Sequence, residues 1–421
     1  MLEELKKRDD RPLRIGMAGA GAMGQGIAWQ VKITPGMQLE FVTDIDLEAA
    51  RKAVEQIGLE AVEANGNEMP ELTEGQVLIG TDTLAILHAE EARELDAFVE
   101  ATNSIGNAAE YCLGAIEAGL HVILMNAEVD LLFGPMLQQE ADKRGVVVTS
   151  DAGDQHGVIM TMLHEIELWG FDIVQAGNIK GFLDRYATPE SIRGEAAKRN
   201  LSPVQCCAYT DGTKLNIEMA LISNATGLTP FKDGMEGPRC EDVHEVMDLF
   251  DFDAYGGQGR VDYILGSEPG GGVYLVGRCD SAFQQPYLEY YKLGKGPYYL
   301  FYRPYHLCHL ETTRAIAQAC LHQRAILRPD HGRVSDVYAY AKQDLKSGQS
   351  IEEGIGGAEC YGLIRPCADA DPQKSMPIAW LEGEPRRRPR VLRDIAKDTP
   401  IRIDDIELPD VALHRILRGQ G

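Results

Sequence analysis

The chain has 421 residues, 44% of them hydrophobic and 25% charged, an ordinary globular composition long enough for two or three domains with separate cores. Its net charge of −24 argues against nucleic acid and anionic membranes as partners, and it makes local basic clusters informative. No apolar run has bilayer-spanning length, the charged N-terminus lacks a secretory h-region, and nine cysteines without a CxxC pair suit a reducing, cytoplasmic compartment.

In chain order, the apolar run Leu13–Ala18 predicts a strand. Gly19-Ala20-Gly21-Ala22-Met23-Gly24 follows and opens a helix, and a second apolar run from Leu39 to Thr43 ends on Asp44. A GxGxxG turn between strand and helix, with an acid closing the next strand, is the pattern of a dinucleotide-binding βαβ unit. Gly19 serves the tight turn, Gly21 the approach of a pyrophosphate, and Gly24 close helix–strand packing. Ala22 and Met23 place their N–H groups at the helix start, where an anion is favoured.

Leu47–Ala61 has helical spacing, Asn65–Gly75 reads as a loop, Gln76–Gly80 as a strand and Thr83–Arg93 as a helix. Further strands are expected at Ala97–Thr102, His121–Met125 and Gly145–Thr149, with helices at Gly106–Gly119 and Leu131–Lys143. This alternation implies a Rossmann-type doubly wound parallel sheet over residues 1–150. Ligands lie beyond the carboxyl ends of such strands, which groups Thr102, Asn103, Ser104, Asn126, Glu128 and Asp151 around the glycine loop.

Residues 151–328 read as an α+β substrate and dimerisation domain. Val158–Trp169 is helical and Asp172–Gly177 a strand leading into Asn178, Ile179, Lys180 and Gly181. Ser202–Tyr209 is strand-like, with Cys206 and Cys207 as core thiols, and Asp211-Gly212-Thr213-Lys214 opens the helix Leu215–Ala225. Phe231–Gly272 reads as long ordered loops, Val273–Gly277 and Tyr298–Tyr302 as strands, and Thr312–Gln323 as a helix. Residues 329–421 carry a pseudo-repeat, Asp344 to Ile351 echoed by Asp394 to Ile401, which suggests a small β domain of two similar halves. Arg386-Arg387-Arg388 reads as a solvated loop.

The order of motifs resembles the homoserine-dehydrogenase-like oxidoreductases. The resemblance rests on the glycine loop, on Gly119-Leu120-His121-Val122-Ile123 with Asn126, and on Lys214-Leu215 heading a helix. More closely, the whole chain is similar to a subgroup that joins such a core to a C-terminal all-β SAF-type (β-clip) domain. Ile179-Lys180-Gly181, Asp211 to Lys214 and Phe301 to His309 match that pattern. One branch is described as 1-deoxy-D-xylulose-5-phosphate-reductoisomerase-like (DXR-like). The resemblance implies a nicotinamide-dependent enzyme, a homodimer or higher homo-oligomer, and Lys214 at the position of the family's proposed catalytic lysine. Ala127 stands where homoserine dehydrogenases carry a lysine, and Gly177–Gly181 replaces their asparagine-glycine-threonine turn. Both departures count against homoserine itself.

Hydride transfer to a carbonyl leaves an alkoxide that a lysine can stabilise and protonate. Lys214 and Lys180 are the candidates, with Asp211 holding Lys214 or relaying its proton. A phosphorylated substrate needs several cations, and Lys180, Lys292, Lys295 and Arg303 are available, with Asn178 and His306 as polar partners. Surface lysines in a turn are the equal alternative for Lys292 and Lys295. Asp151, Asp154 and His156 suit Mg²⁺ or Mn²⁺, as a reductoisomerase requires, or the acids cap the following helix. His306, Cys308 and His309 lack the second ligand pair of a zinc site. Asp44 favours NAD(H) by accepting from a ribose hydroxyl and repelling a 2′-phosphate, whereas the DXR-like resemblance implies NADPH. Two functions follow: an NAD(P)-dependent oxidoreductase acting on a small hydroxy-carbonyl compound, or a nicotinamide- or metabolite-sensing binding protein.

Overall fold

The computed structural model describes residues 1–8, 10–64, 70, 72–198, 201–384 and 386–419. The chain forms two compact units. One comprises Met1–Gly157 and Leu307–Arg328, the other Val158–His306 and Pro329–Gly421. These units partition the chain differently from the three-domain reading: Leu307–Arg328 goes with the first unit, and Pro329–Gly421 goes with Val158–His306 in the second.

The first unit is built on a seven-stranded parallel sheet. Its strands are β1 (Leu13–Ala18), β2 (Met37–Thr43), β3 (Glu60–Glu63), β4 (Gln76–Gly80), β5 (Ala97–Glu100), β6 (His121–Leu124) and β7 (Val148–Ser150), in the order β3-β4-β2-β1-β5-β6-β7. The reversal of order beside β1 is the switch point at which a crevice opens above the strand ends. β3 corrects the expected helix Leu47–Ala61. The helix stops at Glu55, Gly58 turns the chain at φ +75°, and four residues pair with β4. Of the loop expected at Asn65–Gly75, residues 65–69 and 71 lie outside the described residues. The helix Cys308–His322 packs on the helix Ala22–Ile33. There Ala315 and Ile316 join Ile27 and Ala28 in one apolar core, and a Cβ on Gly26 would lie 2.4 Å from the His309 ring.

The second unit carries a four-stranded mixed sheet, β8 (Asp172–Lys180), β9 (Arg260–Leu265), β10 (Val273–Arg278) and β11 (Tyr298–Arg303), in the order β11-β10-β8-β9. β8 and β9 run parallel and β10 antiparallel to β8 and β11. β9 emerges from the stretch read as loops, because Val261 and Ile264 bury within an otherwise Gly- and acid-rich segment. Pro203–Thr210 is a helix, not a strand. The side chain of Ser202 accepts from the Gln205 N–H, and Pro203 at the first turn needs no N–H partner, so an N-terminal signal was written in the sequence.

Two small antiparallel sheets complete this unit: β12 (Ser335–Ala341) with β13 (Cys360–Pro366), and β14 (Arg390–Val391) with β15 (Ile406–Glu407). The two repeat units face each other across an internal pseudo-dyad. Leu345 and Ile395 exchange backbone hydrogen bonds, and the bridge Tyr340↔Pro400 has its image in Arg390↔Ser350. Gly348 and Asp398, at equivalent turns, are both left-handed, at φ +84° and +61°. All nine cysteines are free thiols, and among the described residues no helix is long and apolar enough to cross a membrane.

Candidate cofactor and catalytic sites

In the first unit the three glycines of the loop have three different surroundings. Gly19 sits at φ +99°, where a Cβ would lie 2.4 Å from the Ala101 carbonyl oxygen. A Cβ on Gly24 would lie 1.9 Å from the Gly19 carbonyl oxygen. The Cβ position of Gly21 meets nothing within 4 Å, so space is left open at the N-terminus of the helix Ala22–Ile33. Two glycines are thus required by the chain's own packing, and the third opens onto free space beside Ala22 and Met23 at the helix start.

Asp44 reaches back into this loop. Its Oδ2 accepts from the Ala20 N–H at 2.7 Å and its Oδ1 from the Asp46 N–H at 2.9 Å, leaving lone pairs for hydroxyl donors. Across the switch point, Asn126 caps the helix Ala127–Arg144 through the Val129 N–H. Its Nδ2 donates to the carbonyls of Thr102 (3.1 Å) and Ser104 (3.2 Å), which fixes the Thr102–Asn103–Ser104 turn. Glu128 follows on the same helix start.

Glu100, which sequence reading passed over as strand interior, lies fully buried beneath that turn and accepts from the Thr102 N–H at 2.9 Å. Burial raises its carboxyl to about 8, with Glu128 adding to the effect, so it holds a proton at neutral pH. Asp151 is also buried, and its Oδ2 accepts from the N–H groups of Gly153 (2.6 Å) and Asp154 (3.1 Å). Burial and neighbouring Asp154 push it up to about 7. Its oxygen Oδ1 is buried, with the Thr312 hydroxyl as the side-chain donor that pulls the carboxyl back, while Oδ2 shapes the loop.

In the second unit, Lys214 stands in the first turn of the helix Thr213–Thr226, directly after Gly212, which turns at φ +86°. Its ammonium lies 5.9 Å from the centre of the Tyr209 ring. One helical turn on, Glu218 is buried and forms an ion pair with Lys180 at the end of β8 (3.6 Å). Glu218 also accepts from Asn178 Nδ2 at 2.8 Å, while Asn178 Oδ1 is buried without a partner. The i,i+4 spacing of Lys214 and Glu218 places both on one helix face, a signal that spacing alone could have raised. Asn178, Lys180 and Glu218 are thus brought together, with Lys214 one turn away along that face.

Asp211 takes a different partner from the one expected. Its Oδ2 is 2.9 Å from Lys342 Nζ, both side chains being buried, and its Oδ1 accepts from the Thr213 N–H. Burial pushes the carboxyl up while Lys342 pulls it back. Lys342 is satisfied completely, donating also to the carbonyls of Ala187 (2.8 Å) and Gly357 (2.7 Å). Cys207, beside this pair, is raised to about 11 by burial, an inert thiol. Asp211 therefore holds the turn that starts the Lys214 helix.

The basic residues proposed for one anion are separated. Lys292 and Lys295 are exposed in the turn before β11, at the end of the sheet where Tyr298 pairs with Arg278 and Arg278 with Asp172. Arg303 lies at the far end of β11, opposite Val273 and next in register to Asn178, with its guanidinium 4.6 Å from the Tyr305 ring centre. His306 shares that end and hydrogen-bonds the Gly271 carbonyl (2.6 Å). A strand of six residues, roughly 17 Å, parts the two groups, so they do not form one cluster.

Residues 153–312 match the family model described as oxidoreductase DRL, catalytic domain. No curated protein matches the chain. Among solved structures, it is similar to a homoserine dehydrogenase from Thiobacillus denitrificans, with 14% identity, a TM-score of 0.46 and coverage of 84% of this chain and 90% of that one. It is also similar to a probable dehydrogenase from Thermotoga maritima, with 13% identity, 70% coverage of each chain and a TM-score of 0.36. A third is scyllo-inositol dehydrogenase from Lactobacillus casei with bound NAD(H), at 14% identity, 64% and 67% coverage and a TM-score of 0.36.

Proposed function

We propose that the protein is an NAD(P)-dependent oxidoreductase that interconverts a small hydroxy compound and its carbonyl form. The observation that carries this reading is the glycine loop. Gly19 and Gly24 are packed against backbone, Gly21 faces open space at a helix N-terminus, and Asp44 is docked beside them. The match of residues 153–312 to an oxidoreductase catalytic domain supports the same reading.

When bound, a nicotinamide supplies or accepts the hydride. The chain holds its pyrophosphate at Gly21, Ala22 and Met23, and its adenosine ribose at Asp44. Asp44 favours NAD(H), because a 2′-phosphate would be brought against a carboxylate. Lys214 donates a proton to the alkoxide oxygen, or removes it in the reverse direction. Lys180, kept in place by Glu218, stabilises charge on the same substrate, and Asn178 offers an amide oxygen that lacks an internal partner.

A dehydrogenase of the homoserine-dehydrogenase-like kind needs only these groups. The DXR-like version requires in addition a divalent ion, for which Asp151 and Asp154 are the candidate carboxylates, and it would use NADPH. Turnover of 1-deoxy-D-xylulose 5-phosphate that is lost on adding a chelator would establish that version. Turnover of a hydroxy acid or polyol indifferent to chelator would establish the first.

Lys214→Ala tests the reading as a whole. Turnover should fall by about 10²- to 10⁴-fold, while NADH affinity, followed by fluorescence titration, stays unchanged. NADH binding with turnover indifferent to this substitution would indicate a nicotinamide-sensing binding protein. Absence of nicotinamide binding would overturn both.

A further inference from the structure

We propose that the arginine-lined cleft in the C-terminal repeat region is a binding site for a small multivalent oxyanion, a phosphate ester or polycarboxylate. The cleft has a volume of 440 Å³ and is lined by Ser350, Glu352, Arg386, Arg387, Arg388 and Arg390. Four guanidinium groups against one carboxylate make a cationic enclave in a chain of net charge −24.

The lining is built on hydrogen-bonded backbone. Ile351 N–H donates to the Pro389 carbonyl and Val391 N–H to that of Gln349, while Glu384 and Arg387 exchange backbone hydrogen bonds. Two of the arginines are committed internally. Arg388 pairs with Glu353 (3.1 Å) and Glu352 (3.8 Å), and Arg387 donates to the Asp410 carbonyl (3.1 Å). Arg386 and Arg390 are exposed and form no ion pair with any described residue. Two anchored guanidinium groups beside two uncommitted ones supply the cationic donors that bind oxyanions with more than one charge.

The internal pseudo-dyad shows what an equivalent position accepts. Arg390↔Ser350 is the image of Tyr340↔Pro400. At that second position the Tyr340 hydroxyl donates to the Asp233 carboxylate (2.7 Å), which also pairs with Arg365 (3.1 Å). One half of the repeat is therefore filled by a carboxylate from the same unit, held by a hydroxyl and a guanidinium. The other half presents guanidinium groups around open space. This site is separate from the glycine loop and from Lys214, and does not rest on the oxidoreductase reading.

The test is calorimetric titration of the full chain with pyrophosphate and with citrate, at fixed ionic strength, against Arg386→Gln/Arg390→Gln. Both side chains are exposed, so the double variant keeps its fold. Saturable binding of at least one probe, weakened ~10-fold or more in the double variant, is expected. Pyrophosphate can also occupy the glycine loop, so Gly21→Val, which meets open space there, should leave the cleft's isotherm intact. Absence of saturable binding up to about 10 mM, equal affinity in the double variant, or loss of binding in Gly21→Val overturns the proposal.

Discussion

Asp211 and Glu100 are both carboxylic acids without solvent contact, and the chain neutralises them in opposite ways. Asp211 has Lys342 at 2.9 Å and remains paired. Glu100 has the Thr102 N–H, no cation, and carries a proton at neutral pH. A buried carboxylate must be compensated by a counter-charge or by protonation, because desolvation of the free ion costs more than any single hydrogen bond returns. The counter-charge gives stability largely independent of pH near neutrality, and the proton gives stability that depends on it.

The largest test removes the counter-charge. Lys342→Met leaves Asp211 buried and unpaired, and should cost about 3–5 kcal/mol, read from the denaturation midpoint. Lys342→Met/Asp211→Asn, which keeps the oxygen that accepts from Thr213 and removes the unpaired charge, should recover part of that loss. A double variant no more stable than the single one would break the contrast. The second test removes the proton. Glu100 in the folded chain titrates above its unfolded value, so its favourable contribution is complete at low pH and declines as pH rises toward about 8. Glu100→Gln keeps the acceptor for Thr102 and has no charge to desolvate. It should match the parent near pH 5 and exceed it by a few kcal/mol, on the order of its pKa displacement, above pH 8. Parallel melting curves at both pH values would show Glu100 to be ionised throughout. The smallest effect belongs to Lys180→Met. This pair is longer, at 3.6 Å, Lys180 is partly exposed and Glu218 keeps Asn178, so stability should fall by about 1–3 kcal/mol, less than for Lys342→Met. If Lys180 acts on substrate, turnover falls further than stability does.

The parallel sheet of the first unit was legible because each strand is a short apolar run followed by a periodic helix, and Asp44 closes β2 at the distance a dinucleotide fold requires. β3 was not, since Glu60 and Glu63 are exposed and leave only Ala61 and Val62 between them. Cys206, Cys207 and Ala208 form a short buried apolar run that imitates a strand, which hid the helix behind its Ser202-Pro203 start. Lys214 and Lys180 were legible as chemistry, but Lys342 lies 131 residues from Asp211 and no local spacing joins them. Lys292 and Lys295 were grouped with Arg303 as cations for one anion, and the register of β11 sets them at opposite ends.

The helix that carries Lys214 is stitched along its length to the strands that follow residue 329. Thr213 Oγ1 accepts from the Gly362 N–H, Asn216 Oδ1 from Ile364, and Asn224 Oδ1 from both Val334 and Ser335, all at 2.8–2.9 Å. These amides are strand donors that would otherwise call for another strand, and the helix side chains stand in for it. The C-terminal region is in consequence no detachable module: cutting the chain after Arg328 strips three buried polar side chains of their partners on the helix that carries Lys214, so a truncated protein would loosen that helix along with losing its tail.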